Sequence, residues 1–69
     1  MKVKLTALKD FEAFNTWQEK VSICQDEVID GKVAKLESGV KIITIELNGV
    51  PTPFWEKTVK EFFKIEEVE

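Results

Sequence analysis

Few residues in this chain are able to do chemistry, and their spacing argues against most of it. There is no histidine. Histidine moves protons near neutral pH in many enzymes, so a Ser-His or Cys-His nucleophile pair cannot form here. Cys24 is the sole cysteine, which rules out a disulfide within the chain. Without a histidine partner it reads as a small buried hydrophobe. Zinc requires His and Cys ligands at set spacings, and these are missing. Asp26, Glu27 and Asp30 precede Gly31, but they lack the D-x-D-x-D-G order and the closing Glu of a calcium loop. Glu66 and Glu67 read as solvated carboxylates near the end of the chain, and no glycine-rich phosphate loop is present. The expectation is a chain that is not an enzyme and uses no metal and no cofactor.

The charge pattern speaks to partners. Ten basic residues, all lysine, stand against 13 acidic ones, for a net charge of −3. Nucleic-acid binding calls for a basic patch with interleaved aromatics. The best local candidate is Lys57, Lys60 and Lys64 with Trp55 and Phe63, yet Glu56, Glu61 and Glu66 interrupt it. A solvated helix face accounts for that pattern, and single-stranded nucleic acid stays as the alternative partner. A basic membrane-surface helix fails on the same count. No apolar run approaches the roughly 18 residues of a transmembrane helix, and residues 1–5 lack the apolar core of a signal peptide. A cytoplasmic chain with a reduced thiol is expected.

These residues must be positioned by a very small fold. The chain has 69 residues, enough for a single domain over 1–69 with 65–69 as a frayed tail. Hydrophobic residues make up 43%, too many for a disordered chain. A core of this size is marginal, and association often supplements it, so a homodimer is a natural expectation.

The clearest element runs from Val40 to Leu47. It contains four consecutive β-branched residues (Ile42, Ile43, Thr44 and Ile45), flanked by Gly39 and by Asn48-Gly49. Alternation places Ile43, Ile45 and Leu47 on a core face, and Val40, Ile42, Thr44 and Glu46 on a mixed face. A two-residue Ser38-Gly39 turn would pair it with residues 32–37. In that register Ala34 and Leu36 join the core face, and Val33, Lys35 and Glu37 join the mixed one. Residues 2–8 read as another strand, with Val3, Leu5 and Ala7 on one face and lysines suited to an edge or a solvated face on the other.

Phe11, Phe14, Trp17 and Val21 recur at helical spacing after Asp10, an N-cap candidate, and predict a helix over about 10–20. Residues 21–31 either continue that helix or form a strand from Val21 that turns at Asp30-Gly31; the β-branched content tips the balance to the strand. Residues 48–53 read as a loop. Thr52-Pro53 looks like a helix start, with Trp55, Val59, Phe62 and Phe63 as its stripe. The ending could be a last turn, a short edge strand or a tail. The resulting fold class is α+β: an antiparallel sheet with two helices on one face, in a βαββαβ order of the ferredoxin-like kind.

Two surfaces are candidates for a partner. One is the mixed sheet face, with Val33, Val40 and Ile42. The other is Pro51, Pro53, Phe54 and Trp55, where rigid prolines could present an aromatic anchor. Strands 2–8 and 40–47 carry no aromatics to stack bases, as a sheet that recognises RNA would need. The expected function is binding of a protein, either a second copy or another chain. The size suits an accessory protein of the phage or mobile-element type.

Overall fold

A computed structural model describes residues 1–68. Seven strands and one short helix follow in order: β1 (Lys2–Ala7), β2 (Phe11–Phe14), β3 (Lys20–Ile23), β4 (Val28–Lys35), β5 (Lys41–Leu47), β6 (Val50–Trp55), α1 (Glu56–Phe62) and β7 (Phe63–Glu67). Five strands form one antiparallel sheet in the order β6-β5-β4-β1-β7, and β2 and β3 form a separate hairpin. The α+β expectation, with two helices on a sheet face, is thereby overturned: the protein is mostly β, with a single helix of seven residues.

The first predicted helix is the β2–β3 hairpin. Its helical spacing of aromatics is coincidental. Phe11, Ala13 and Asn15 alternate toward the interior, whereas Phe14 and Trp17 are exposed. Asp10 caps no helix; its Oδ1 accepts a hydrogen bond from the Gln25 amide across the hairpin base. The strand reading of residues 21–23 holds, but the turn that follows lies at Cys24–Glu27, with Asp26 at φ 69°. Asp30 and Gly31, expected at a turn, sit inside β4. Cys24, expected in the core, is exposed on that turn.

β1 and β5 lie where the alternation put them, and Val3, Leu5, Ala7, Ile43, Ile45 and Leu47 are all buried. β1 is not an edge, because β4 and β7 flank it; of the two readings of its lysines, the solvated face is the one it shows. The β4–β5 register differs by one residue from expectation. The loop has three residues, Glu37 to Gly39. The Leu36 amide donates to the Val40 carbonyl, and the Gly39 amide donates to the Leu36 carbonyl. Gly39 takes φ +91°, the left-handed conformation that closes such a loop.

Val33 therefore pairs with Ile43, and Ala34 with Ile42. A one-residue slip exchanges every side chain between faces. The expected register would have turned Asp30 and Lys32 inward, and burying unpaired charge is expensive. The observed one turns Ile29, Gly31 and Val33 inward instead.

Residues 50–55, expected as loop and helix start, continue as β6 beyond an Asn48-Gly49 turn with both residues at positive φ. The helix begins only at Glu56. It joins the two outermost strands of the sheet. Four inter-strand spacings place the edges of a flat five-stranded sheet about 19 Å apart. A seven-residue helix spans only about 10 Å. The sheet must therefore curl, with α1 and the β2–β3 hairpin closing its inner side. Val59, Phe63 and Ile23 are buried there, and Phe11 packs on Phe62 and Phe63 at 4.7 and 5.3 Å between ring centroids.

The curl turns on Gly31. β4 pairs with β1 through Val28–Lys32 and with β5 through Gly31–Lys35, so the two pairings overlap only at Gly31 and Lys32. A Cβ on Gly31 would lie 3.1 Å from Leu5 Cδ1 and 3.2 Å from Ile43 Cγ2. Replacing a strand glycine ordinarily stabilises, through backbone entropy. Here Gly31→Val is expected to destabilise by about 1–3 kcal/mol through overpacking. Urea unfolding reads this as a lower midpoint; an unchanged or higher midpoint would show that the core has room.

Candidate functional site

The seven residues singled out from the sequence divide between the two faces. Cross-strand partners place Ile42 directly opposite both Ala34 and Trp55, Thr44 opposite Pro53, and Glu46 opposite Pro51. Alternation then sets Val40, Ile42, Pro51, Pro53 and Trp55 on the outer face, away from the core. The mixed strand face and the proline-aromatic corner, read separately from the sequence, are one surface. Val33 and Phe54 are not part of it. Both pair with Ile43, from opposite sides, and lie on the inner face, half-buried against the core. The register shift moved Val33 inward. Phe54 follows from β6 being a strand, since its neighbours Pro53 and Trp55 then face outward.

The same shift adds residues that sequence reasoning had assigned to the core. Leu36, hydrogen-bonded to Val40 across the ribbon, and Ala34 both turn outward. Leu36 is 42% exposed, Val40 43% and Trp55 57%, with Ile42 half-buried between them. Leu36, Val40, Ala34, Ile42, Trp55 and Pro53 make a continuous apolar corner at the β4–β5 loop end of the sheet. Single exposed hydrophobes need no explanation, but a contiguous group on a sheet face does. The signal that would have found Leu36 is Ser38: a two-residue type I′ loop takes positive φ at both residues, as Asn48-Gly49 does, whereas a three-residue loop takes it only at its last residue, here Gly39.

The adjoining row is polar. Lys2, Lys32 and Thr44 follow one another across β1, β4 and β5, and the row ends at Pro53 of the apolar corner. Lys2 and Lys32 are directly opposite and both exposed.

β6 is an edge strand, and its prolines decide whether another strand can add to it. Leu47 and Val50 flank a two-residue turn and form a hydrogen-bonded pair. Alternation makes Glu46–Pro51 and Thr44–Pro53 non-hydrogen-bonded pairs, whose backbone groups point away from the sheet. The Pro51 carbonyl does point outward: it accepts a 3.2 Å hydrogen bond from Thr16 Oγ1. Both prolines thus occupy positions where the missing N–H would have faced an added strand.

The hairpin tip is tied down at the other end of β6. Asn15 is 3% exposed yet fully bonded. Its Nδ2 donates to the Leu47 carbonyl at 3.1 Å and to Glu19 Oε1 at 2.9 Å. Its Oδ1 accepts from the Trp17 and Glu19 amides at 2.9 and 3.0 Å. The Thr16 amide donates to Thr52 Oγ1, which in turn donates to the Val50 carbonyl. Thr52, expected to cap a helix, is instead buried in β6 and receives the hairpin. Trp17, expected in a helix core, projects from this tip at 71% exposure. Between hairpin and helix lies an apolar recess of ≈ 220 Å³, with Phe11, Phe14, Phe54, Val59 and Phe62 among its walls.

Of the lysines in the nucleic-acid reading, Lys57 and Lys60 lie on α1. Lys60 pairs with Glu56 at 3.7 Å, and Lys64 lies past the helix on β7, 3.8 Å from Glu66. Among the described residues no three His, Cys, Asp or Glu side chains group as metal ligands, and no helix is long and apolar enough to cross a membrane. Comparison of the chain with protein-family models, with curated proteins and with solved structures gives no match.

Removing the Asn15 side chain would leave the Trp17 and Glu19 amides without their acceptor and take one of the bonds to the Leu47 carbonyl. Asn15→Ala is expected to cost about 1–3 kcal/mol. Hydrogen exchange should show Trp17 and Glu19 amides losing protection while β1, β4 and β5 amides keep more of theirs. Uniform loss across all strands would mean that the tip folds as one unit with the main sheet.

Proposed function

We propose that this chain is a small protein-binding module, not an enzyme, and that it docks through the outer corner formed by Leu36, Val40, Ile42 and Trp55. The observation that carries this reading is the convergence of these side chains on one solvated sheet face, beyond anything the core requires. Trp55 supplies a large rigid anchor, the residue type that most often dominates interface energy. Ile42 beneath it and Leu36 and Val40 beside it supply the apolar surround that excludes water. The two prolines of β6 disfavour docking by strand addition, so the partner meets side chains rather than backbone. An exposed, unpaired Cys24 suits a reducing compartment such as the cytoplasm.

Photo-crosslinking tests the surface. Benzoylphenylalanine at Leu36 or Trp55, expressed in the cell of origin, should yield a discrete protein adduct. The same group at Glu12, on the exposed side of the hairpin, should not. Ile42→Lys should abolish the adduct while circular dichroism stays that of the folded chain. Equal adducts from the corner and from Glu12, or none from either, would reject the outer corner as the binding surface.

A further inference from the structure

The apolar corner says where a partner sits, and the lysines beside it say what the partner carries. In an acidic chain, the row bordering the corner is basic. Lys2 and Lys32 face each other directly across β1 and β4. Like charges directly opposite on one sheet face are destabilising. One row further from the corner, opposite charges alternate instead: Lys4 lies between Glu66 and Asp30. The ion pairs among the described residues join Lys20 to Glu12, Lys60 to Glu56 and Lys64 to Glu66. None involves Lys2 or Lys32. Lys35 and Lys41 form a second directly opposed pair at the same end of the β4–β5 ribbon, on its other side, and neither is in an ion pair there.

We infer that the occupant of the outer corner is an acidic protein segment, with large apolar side chains seated on Ile42 and Trp55 and carboxylates beside Lys2 and Lys32. This rests on the protein-binding reading above. Charge complementarity carries the choice. Lys2 and Lys32 are exposed cations directly opposite each other beside the corner, and a carboxylate seated between them would meet both. A second copy fits less well, because a two-fold interface presents the same corner to itself, and Leu36, Val40, Ala34, Ile42, Trp55 and Pro53 offer no carboxylate to meet Lys2 and Lys32. Nucleic acid fits less well too, because the corner is mainly aliphatic, with a single aromatic side chain able to stack a base.

The test is selection from a random peptide library displayed on phage against the immobilised full chain. Enriched peptides are then synthesised and their affinities measured by fluorescence anisotropy. Enriched sequences should combine Asp or Glu with Leu, Phe or Trp. Lys2→Gln and Lys32→Gln should each weaken binding about two- to fivefold, the range of an exposed charge pair. Added salt should reduce that difference. Ile42→Lys should abolish binding. Leu36→Lys, at a more exposed position, should do the same if the first variant is unfolded. Peptides without acidic residues, lost with Leu36→Lys but indifferent to both glutamines, would overturn this inference and leave the binding surface standing. Binding untouched by the corner variants, or no enrichment at all, would overturn both. A labelled oligothymidine bound more tightly than any peptide would assign the face to nucleic acid instead. A dimer in light scattering that Leu36→Lys dissolves would assign it to a second copy.

Discussion

The absence of a side chain at Gly31 is the constraint on which the rest of this fold depends. Gly31 is the residue that β4 shares between its two neighbours, paired with Val3 on one side and Ile45 on the other. With only hydrogen at that point, Leu5 and Ile43 close over it from adjacent strands. The sheet can then curl around one small apolar centre instead of lying flat. Curling brings β6 and β7, the two edges, within reach of a seven-residue helix.

A core this small needs help at its open side, and the β2–β3 hairpin provides it. Apolar contact brings Phe11, Val21 and Ile23 to the core, but apolar contact alone does not set where the tip lands. Asn15 does. A buried amide that left any of its groups unpaired would destabilise the fold, and this one is satisfied only when the tip meets both Leu47 and its own turn. The outward carbonyl of Pro51 adds a second point of attachment through Thr16. The orientation of the hairpin is thus specified by polar groups, while its affinity for the sheet comes from phenylalanine and aliphatic surface.

Alternation of apolar and polar residues made much of the sheet legible in the sequence. Val3, Leu5 and Ala7 face inward as read, as do Ile43, Ile45 and Leu47. The errors have a common physical origin. Helical spacing in Phe11, Phe14 and Trp17 arose because one aromatic packs inward while the other two project from a hairpin. Coincident phase over so short a segment cannot be told from a helix by periodicity alone. The β4–β5 slip came from counting a two-residue loop where Gly39 permits three, and a slip of one inverts the face of every residue. Thr52-Pro53 resembled a helix start because the same pair suits an edge strand whose N–H groups need no partner. For the site, Ile42, Pro53 and Trp55 were legible as apolar residues of a candidate surface, of which Pro53 and Trp55 are exposed and Ile42 half-buried. Their union with Leu36 and Ala34 was not, since it depends on a register that only long-range pairing sets.

The two prolines of β6 bear on more than its local geometry. A five-stranded sheet has two edges, and each is a template for another strand unless something blunts it. At β7, charged Lys64, Glu66 and Glu67 do this. At β6 the donors themselves are gone at Pro51 and Pro53, and one of the outward carbonyls is taken by Thr16. Backbone-mediated association is therefore discouraged at both edges of the main sheet, while the side-chain surface between them remains open and apolar at one end. A protein that only needed to remain a monomer would gain from polar residues at Ile42 and Trp55 as well. In the proposed reading, blocking the edges and leaving that corner apolar would favour contact through side chains on the sheet face over backbone pairing, with the selectivity that shape and charge provide.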